Sequence, residues 1–131
     1  KATPFEHESY GQTLAKCQRY YQKSYNIDVV PGTVTSHGLI THYGSTDNSG
    51  NIVIQTDFRC EMRATPTIVW YPESGVQGRI YAVRSGSGSE NNASSYRTST
   101  RGTCGYAIAG ASGAGYVSAY ANAHYTASAE L

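Results

Sequence analysis

Apolar positions recur with two different periods along this chain. Tyr10, Leu14, Cys17 and Tyr21 stand four, three and four residues apart, which makes one stripe of a helix. Lys16, Arg19, Gln22 and Lys23 fill the other side, and Ser9 with Gln12 has the form of a capping box. The spacing predicts a helix over 9–23, with Gly11 a weak point in its first turn. Its stripe needs a cover, supplied either by the domain's own sheet or by copies of the same helix in an oligomer.

From Val29 onward the period is two. Strands are predicted over 33–41, over 51–58 with Ile52, Ile54 and Phe58 on one face, and over 67–71, apolar on both faces like a central strand. Pro66 sits at the start of the last of these, where a missing donor does little harm. Residues 79–84 set Ile80 and Ala82 against Tyr81 and Val83. Further strands are expected over 96–101, 105–109 and 116–127. In the last, Val117, Ala119, Ala121, Ala123, Tyr125 and Ala127 share one face, and Tyr116, Ser118, Tyr120, Asn122, His124 and Thr126 the other. Residues 47–51 read as a turn. Residues 85–95 are almost entirely Ser, Gly and Asn and read as a long exposed loop. The expected architecture is mostly β, an antiparallel, jelly-roll-like β-sandwich with one N-terminal α-helix. Residues 1–28 form helix and connector, and 29–131 the sandwich.

Composition changes the picture in one respect. The chain has 131 residues, enough for one cored domain. It holds twelve Tyr but two Phe, one Met, one Trp and three Leu. Tyrosine pairs an apolar ring with a polar tip, so part of this aromatic area is expected at surfaces and interfaces. Ten Lys and Arg balance nine Asp and Glu, which argues against nucleic acid as a partner. No apolar run approaches the roughly 20 residues of a spanning helix, so no membrane insertion is expected. The N-terminus has no signal-peptide pattern and reads as a cut inside a longer protein. Cys17, Cys60 and Cys104 read as small apolar residues in a reducing cytosol, with one disulfide and a spare thiol as the alternative.

No catalytic motif is present, and the chain reads as a binding module, not an enzyme. Asp57, Glu61, Glu73 and Glu90 could supply a glycosidase pair only if two lay at a fixed separation. No cofactor and no metal is expected: Glu6, His7 and Glu8 alternate in direction, and His37 and His42 fall on opposite faces of a strand. Asp47 and Asn48 suit a turn better than a calcium ion. Carbohydrate chemistry is better supplied. A sugar presents an apolar C–H face to an aromatic ring and hydroxyls to planar polar groups. Trp70, Tyr71, Tyr81, Tyr96, Arg97, Tyr116 and Tyr120 are candidates, as is Arg79, which with Arg84 and Arg101 has the fork for acidic sugars. Trp70 reads slightly better as a core residue, because its strand is apolar on both faces.

Residues 14–25, Leu-Ala-Lys-Cys-Gln-Arg-Tyr-Tyr-Gln-Lys-Ser-Tyr, resemble a helix found in many tailed-phage structural proteins, where it follows a stretch similar to 4–10 here. Met62-Arg63-Ala64-Thr65-Pro66-Thr67 resembles the Met-Arg-x-x-Pro-Thr strand start of the same proteins, and residues 124–131 are similar to how such chains finish, with Leu131 as the expected natural C-terminus. The family is the C-terminal domains of phage tail fibres and tailspikes. The resemblance implies a β-sandwich, a homotrimer, and a place in the virion at the fibre tip, after assembly in the host cytoplasm. It implies attachment to host cell-surface polysaccharide, or closure of the trimer without a ligand of its own. Family catalytic sites belong to upstream β-helical domains.

Overall fold

The computed structural model describes residues 8–47, 50–84, 86–107 and 118–130. Helix α1 spans Tyr10–Gln18 and starts on the predicted capping box. The Gln12 amide donates to Ser9 Oγ (3.3 Å), and the Ser9 amide donates back to Gln12 Oε1 (3.1 Å). The helix stops well short of residue 23. Tyr21–Lys23 instead forms strand β1, which gives its backbone bonds to the sheet. Gln22 fixes the switch. Its buried side chain donates to the carbonyls of Gln18 (3.0 Å) and Cys60 (2.9 Å) and accepts from the Arg59 amide (2.9 Å). One side chain thus satisfies a helix-end carbonyl and ties it to the 59–60 loop. Helix and sandwich share this strand across the expected boundary at 28. No residue of α1 is buried, and Tyr10 is 76 % exposed, so the stripe is not covered by the chain's own sheet.

Seven more strands follow: β2 (Ile40–Gly44), β3 (Ile52–Asp57), β4 (Thr67–Tyr71), β5 (Arg79–Arg84), β6 (Ser87–Tyr96), β7 (Gly102–Ala107) and β8 (Ala119–Ser128). All pairings are antiparallel. The fold is the expected one in class, a mostly β, sandwich-like curled sheet with one N-terminal helix. The sheet is organised on β8. Its first half pairs with β2 and β5, and its second half with β1 and β4. Both edges of β8 are therefore occupied along most of its length. From β5 the sheet continues through β6 and β7 to β3.

The curl folds β3 back toward β8. Ala119, Ala121, Ala123, Tyr125 and Ala127 of β8 all point into the core, as the alternation predicts. The small side chains let Ile52, Ile54, Ile80 and Trp70 approach closely. Tyr125 spans the layers, 6.0 Å from Phe58 and 6.1 Å from Trp70, centroid to centroid.

Several sequence expectations are corrected. The long loop expected over 85–95 is mostly strand β6, paired with β5 over 87–92 and with β7 over 93–96. A strand needs satisfied backbone groups more than it needs large side chains, and here the small residues make room for neighbours. Trp70 lies over the β6–β7 pair Ser95 and Gly105: its indole N–H donates to Ser95 Oγ (2.7 Å), and a Cβ at Gly105 would stand 2.5 Å from its ring. Residues 33–39 are irregular, and pairing begins only at Ile40. Strand β4 pairs with β8 alone among the described residues, so it is not a central strand. Residues 97–101 turn rather than extend, with Arg97 at φ 51°. Residues 48 and 49 of the expected turn at 47–51 lie outside the described residues; at its ends the Asp47 carboxylate accepts from the Asn51 amide (2.9 Å) and the Asp47 carbonyl from the Gly50 amide (3.0 Å).

The Trp70 seat gives a first prediction. Gly105→Ala has no space to expand into, since the indole is walled in on its other side. It should destabilise the fold by about 1–3 kcal/mol, read as a lower urea midpoint with an unchanged slope.

Candidate functional site

The outward face of β8 carries what the alternation assigned to it, in two different environments. In its second half His124 is fully buried. The cover is the connector 24–39. The His124 ring stacks on Tyr25 at 3.9 Å, Nε2 lies 2.8 Å from the Thr35 carbonyl, and Nδ1 lies 3.2 Å from Ser24 Oγ. The partners assign the tautomer. A carbonyl only accepts, so Nε2 carries the proton and Nδ1 accepts from the Ser24 hydroxyl. That hydroxyl also accepts from the Tyr125 amide (3.0 Å). The Tyr25 hydroxyl takes the Gly32 amide (3.2 Å), and Tyr71 packs edge-on against the Tyr25 ring. Gly32 in turn touches Gly75 of the 72–78 connector. The connector thus covers this half of the face at His124, with Tyr71 beside it half-buried.

In its first half the face is open. Residues directly opposite across a ladder share a face. The registers therefore align two outward rows over β6, β5, β8 and β2. One is Glu90, Tyr81, Asn122 and Thr41, and the next is Gly88, Val83, Tyr120 and Tyr43. Tyr81 and Tyr120 are diagonal neighbours, roughly 7–8 Å apart at Cα. Tyr81 lies across β6: a Cβ at Gly88 would be 2.0 Å from its hydroxyl oxygen. The ring rests on bare backbone, as an aromatic laid over a glycine does. Tyr43 and Tyr120 form a tilted pair at 5.4 Å, with Tyr43 exposed. Asn122, between Tyr81 and Thr41, has a buried Oδ1 with no hydrogen-bond partner among the described residues. Beside Tyr81 is a groove of about 370 Å³ lined by Val34, Pro72, Glu73, Ser74, Tyr81 and Glu90.

The sequence-derived residues sort accordingly. Tyr81 and Tyr120 come together, and Arg79 stands exposed on the same face two residues before Tyr81. Tyr71 is occupied with Tyr25 under the connector. Trp70 is corrected to a core residue, 2 % exposed, with no ring face open to a sugar. Tyr96 and Arg97 form a separate patch six residues along β6 from Glu90, about 20 Å away at strand rise. There Tyr96 meets Tyr106 edge-on at 5.4 Å, and the Arg97 guanidinium lies 5.6 Å above the Tyr96 ring. Tyr116 lies outside the described residues. Arg84 is turned inward to the carbonyls of Gly50 and Ala107, and Arg101 faces Glu61. Tyr43, Asn122 and Gly88 were missed, because only the strand register reveals that they flank Tyr81 and Tyr120.

Beside the helix a second, larger cavity of about 590 Å³ is walled by Leu14, Cys17, Tyr21, Tyr25, Ile27 and Arg59, among others. Among the described residues no cluster of three or more His, Cys, Asp or Glu forms a metal cage, and no helix is long and apolar enough to cross a membrane. The three cysteines carry free thiols. Comparison with protein-family profiles, with curated proteins and with solved structures found no match.

Burial raises the Tyr25 phenol above its ordinary value, against the Gly32 amide bond, which favours the phenolate; Tyr71 adds to the rise. Burial raises Tyr21 and Tyr125 likewise. A raised phenol keeps its proton in the folded chain after the unfolded chain has lost it. The stabilisation is complete below the unfolded value of about 10 and is lost as pH climbs through the higher folded value. The denaturation midpoint should therefore fall from about pH 9 to about pH 11, and Tyr25→Phe should make that fall shallower.

Proposed function

We propose that this chain is the C-terminal receptor-binding module of a phage tail fibre or tailspike, and that it recognises host surface carbohydrate on the open half of the outward face of β8. The observation that carries the reading is the placement of Tyr81. Its ring lies along the sheet surface over Gly88, flanked by a groove and by Glu90 and Asn122 in register. A flat ring beside planar polar groups is what a sugar needs, C–H face to the ring and hydroxyls to carboxylate and amide. The exposed Tyr43–Tyr120 pair extends the surface beyond one ring. The phage assignment rests on the resemblance of residues 14–25, 62–67 and 124–131. On this reading the chain is carried on the virion at the fibre tip and binds without cleaving.

A second reading, compatible with the first, is a cap that holds three copies of the chain in register. The uncovered stripe of Tyr10, Leu14 and Tyr21 beside the helix cavity favours it.

Two variants test the binding face. Tyr81→Ala should weaken polysaccharide binding at least tenfold. Gly88→Ala should do nearly the same, because the added methyl displaces the Tyr81 ring end and presses on Val83 Cγ2. A panel of host capsule and lipopolysaccharide fragments, read by biolayer interferometry, measures both. Binding to none of them by the folded chain contradicts the proposal, and so does release of reducing ends. For the cap, light scattering should show a trimer that Leu14→Asp converts to monomer; a monomeric parent chain would rule the cap out.

A further inference from the structure

We infer that the open half of this face holds the interior of a linear polysaccharide chain laid across the strands, and not a chain end; this rests on the glycan reading above. The registers set Gly88, Val83, Tyr120 and Tyr43 in one outward row over β6, β5, β8 and β2. Tyr81 starts in the row alongside but leans into this one. A Cβ on Gly88 would meet the Tyr81 hydroxyl end and, at 3.1 Å, Val83 Cγ2. The stripe therefore runs from the Tyr81 ring over Gly88 through Val83 to the Tyr120 and Tyr43 rings, which stand 5.4 Å apart. Crossing from β6 to β2 at the usual strand spacing makes it about 14 Å long.

Both ends of the stripe are open. Gly88 is exposed, and Tyr43 is 75 % exposed. Among the described residues β2 pairs only with β8, and β6 at Gly88 pairs only with β5, so no strand continues the row past either end. A site for a terminal sugar needs a wall at one end; a chain passing through needs none. The row alongside supplies polar partners, Glu90, Asn122 and Thr41. Arg79 lies diagonal to Glu90 across β5 and β6, so this margin carries both signs and does not select by charge. A polysaccharide chain has matching sides, C–H faces for the rings and hydroxyls for the margin. One sugar covers one ring of the stripe. Translational and rotational freedom is lost once per chain, so each further sugar that reaches an aromatic adds affinity.

The test takes the polysaccharide of the panel above that binds most tightly, intact and as size-sorted fragments released by mild acid. In titration calorimetry the protein bound per intact chain should rise in proportion to chain length, as binding along the interior requires. Fragment affinity should climb by about tenfold or more from the monosaccharide to fragments that span the stripe, then level off. Tyr43→Ala removes the far ring. It should weaken binding of the spanning fragments by about fivefold or more and bring the levelling-off to shorter ones. Tyr43 is exposed, so the variant should keep the parent's melting temperature. One protein per chain at every length overturns the inference. So does a monosaccharide that binds as tightly as the spanning fragments, or a Tyr43→Ala variant that binds those fragments as the parent does. If binding is still lost in Tyr81→Ala, the glycan reading stands and only the chain-interior reading fails. Binding to no polysaccharide of the panel overturns both.

Discussion

The structure depends on one strand giving both of its edges to others. Strand β8 hydrogen-bonds to four partners, two on each half, and so it is the common wall of every layer. Such a position demands two different faces. Inward, a row of alanines interrupted by Tyr125 lets the curled sheet close on itself. Outward, His124 anchors the connector 24–39 over one half, and the other half stays open. A larger residue at Ala121 or Ala123 would push the layers apart. A residue without two ring nitrogens at His124 would lose either the Ser24 or the Thr35 contact.

The same chain shows how a glycine- and serine-rich stretch becomes structure. Strand β6 contributes little apolar area of its own, yet large side chains of its neighbours settle on it and its partner. Trp70 presses inward on Gly105 and bonds Ser95, while Tyr81 lies outward on Gly88. The absence of side chains is the complement of those rings. Composition alone hides this, because backbone pairing leaves no mark on hydrophobic period.

Much of the fold was legible from the sequence. The helix start, the inward set of β3 and β5 and the two faces of β8 follow from capping chemistry and alternation. The helix end was not, because Gln22 acts through partners 37 and 38 residues away. The candidate site was half legible. Tyr81 and Tyr120 stand out as aromatics at polar-face positions, but alternation says nothing about what covers a face. Tyr71 shares that face and packs against Tyr25 of a connector whose packing the sequence does not announce. Tyr43 becomes visible only once β2 is known to pair with β8 at Tyr120. Trp70, a ligand candidate and a core candidate in the sequence, belongs to the core, as its strand being apolar on both sides favoured.

The tyrosines thus divide by task. Tyr25, Tyr71 and Tyr125 pack, Tyr10 and Tyr21 border the uncovered helix, and Tyr43, Tyr81 and Tyr120 form an aromatic surface on an otherwise polar sheet face. Whether that surface is the binding face is decided most directly by amide chemical-shift mapping with a polysaccharide fragment that binds. The account predicts that the largest shifts cluster at Ser74, Tyr81, Glu90 and Asn122. Shifts confined to the Tyr96–Arg97 patch or to the helix would contradict it.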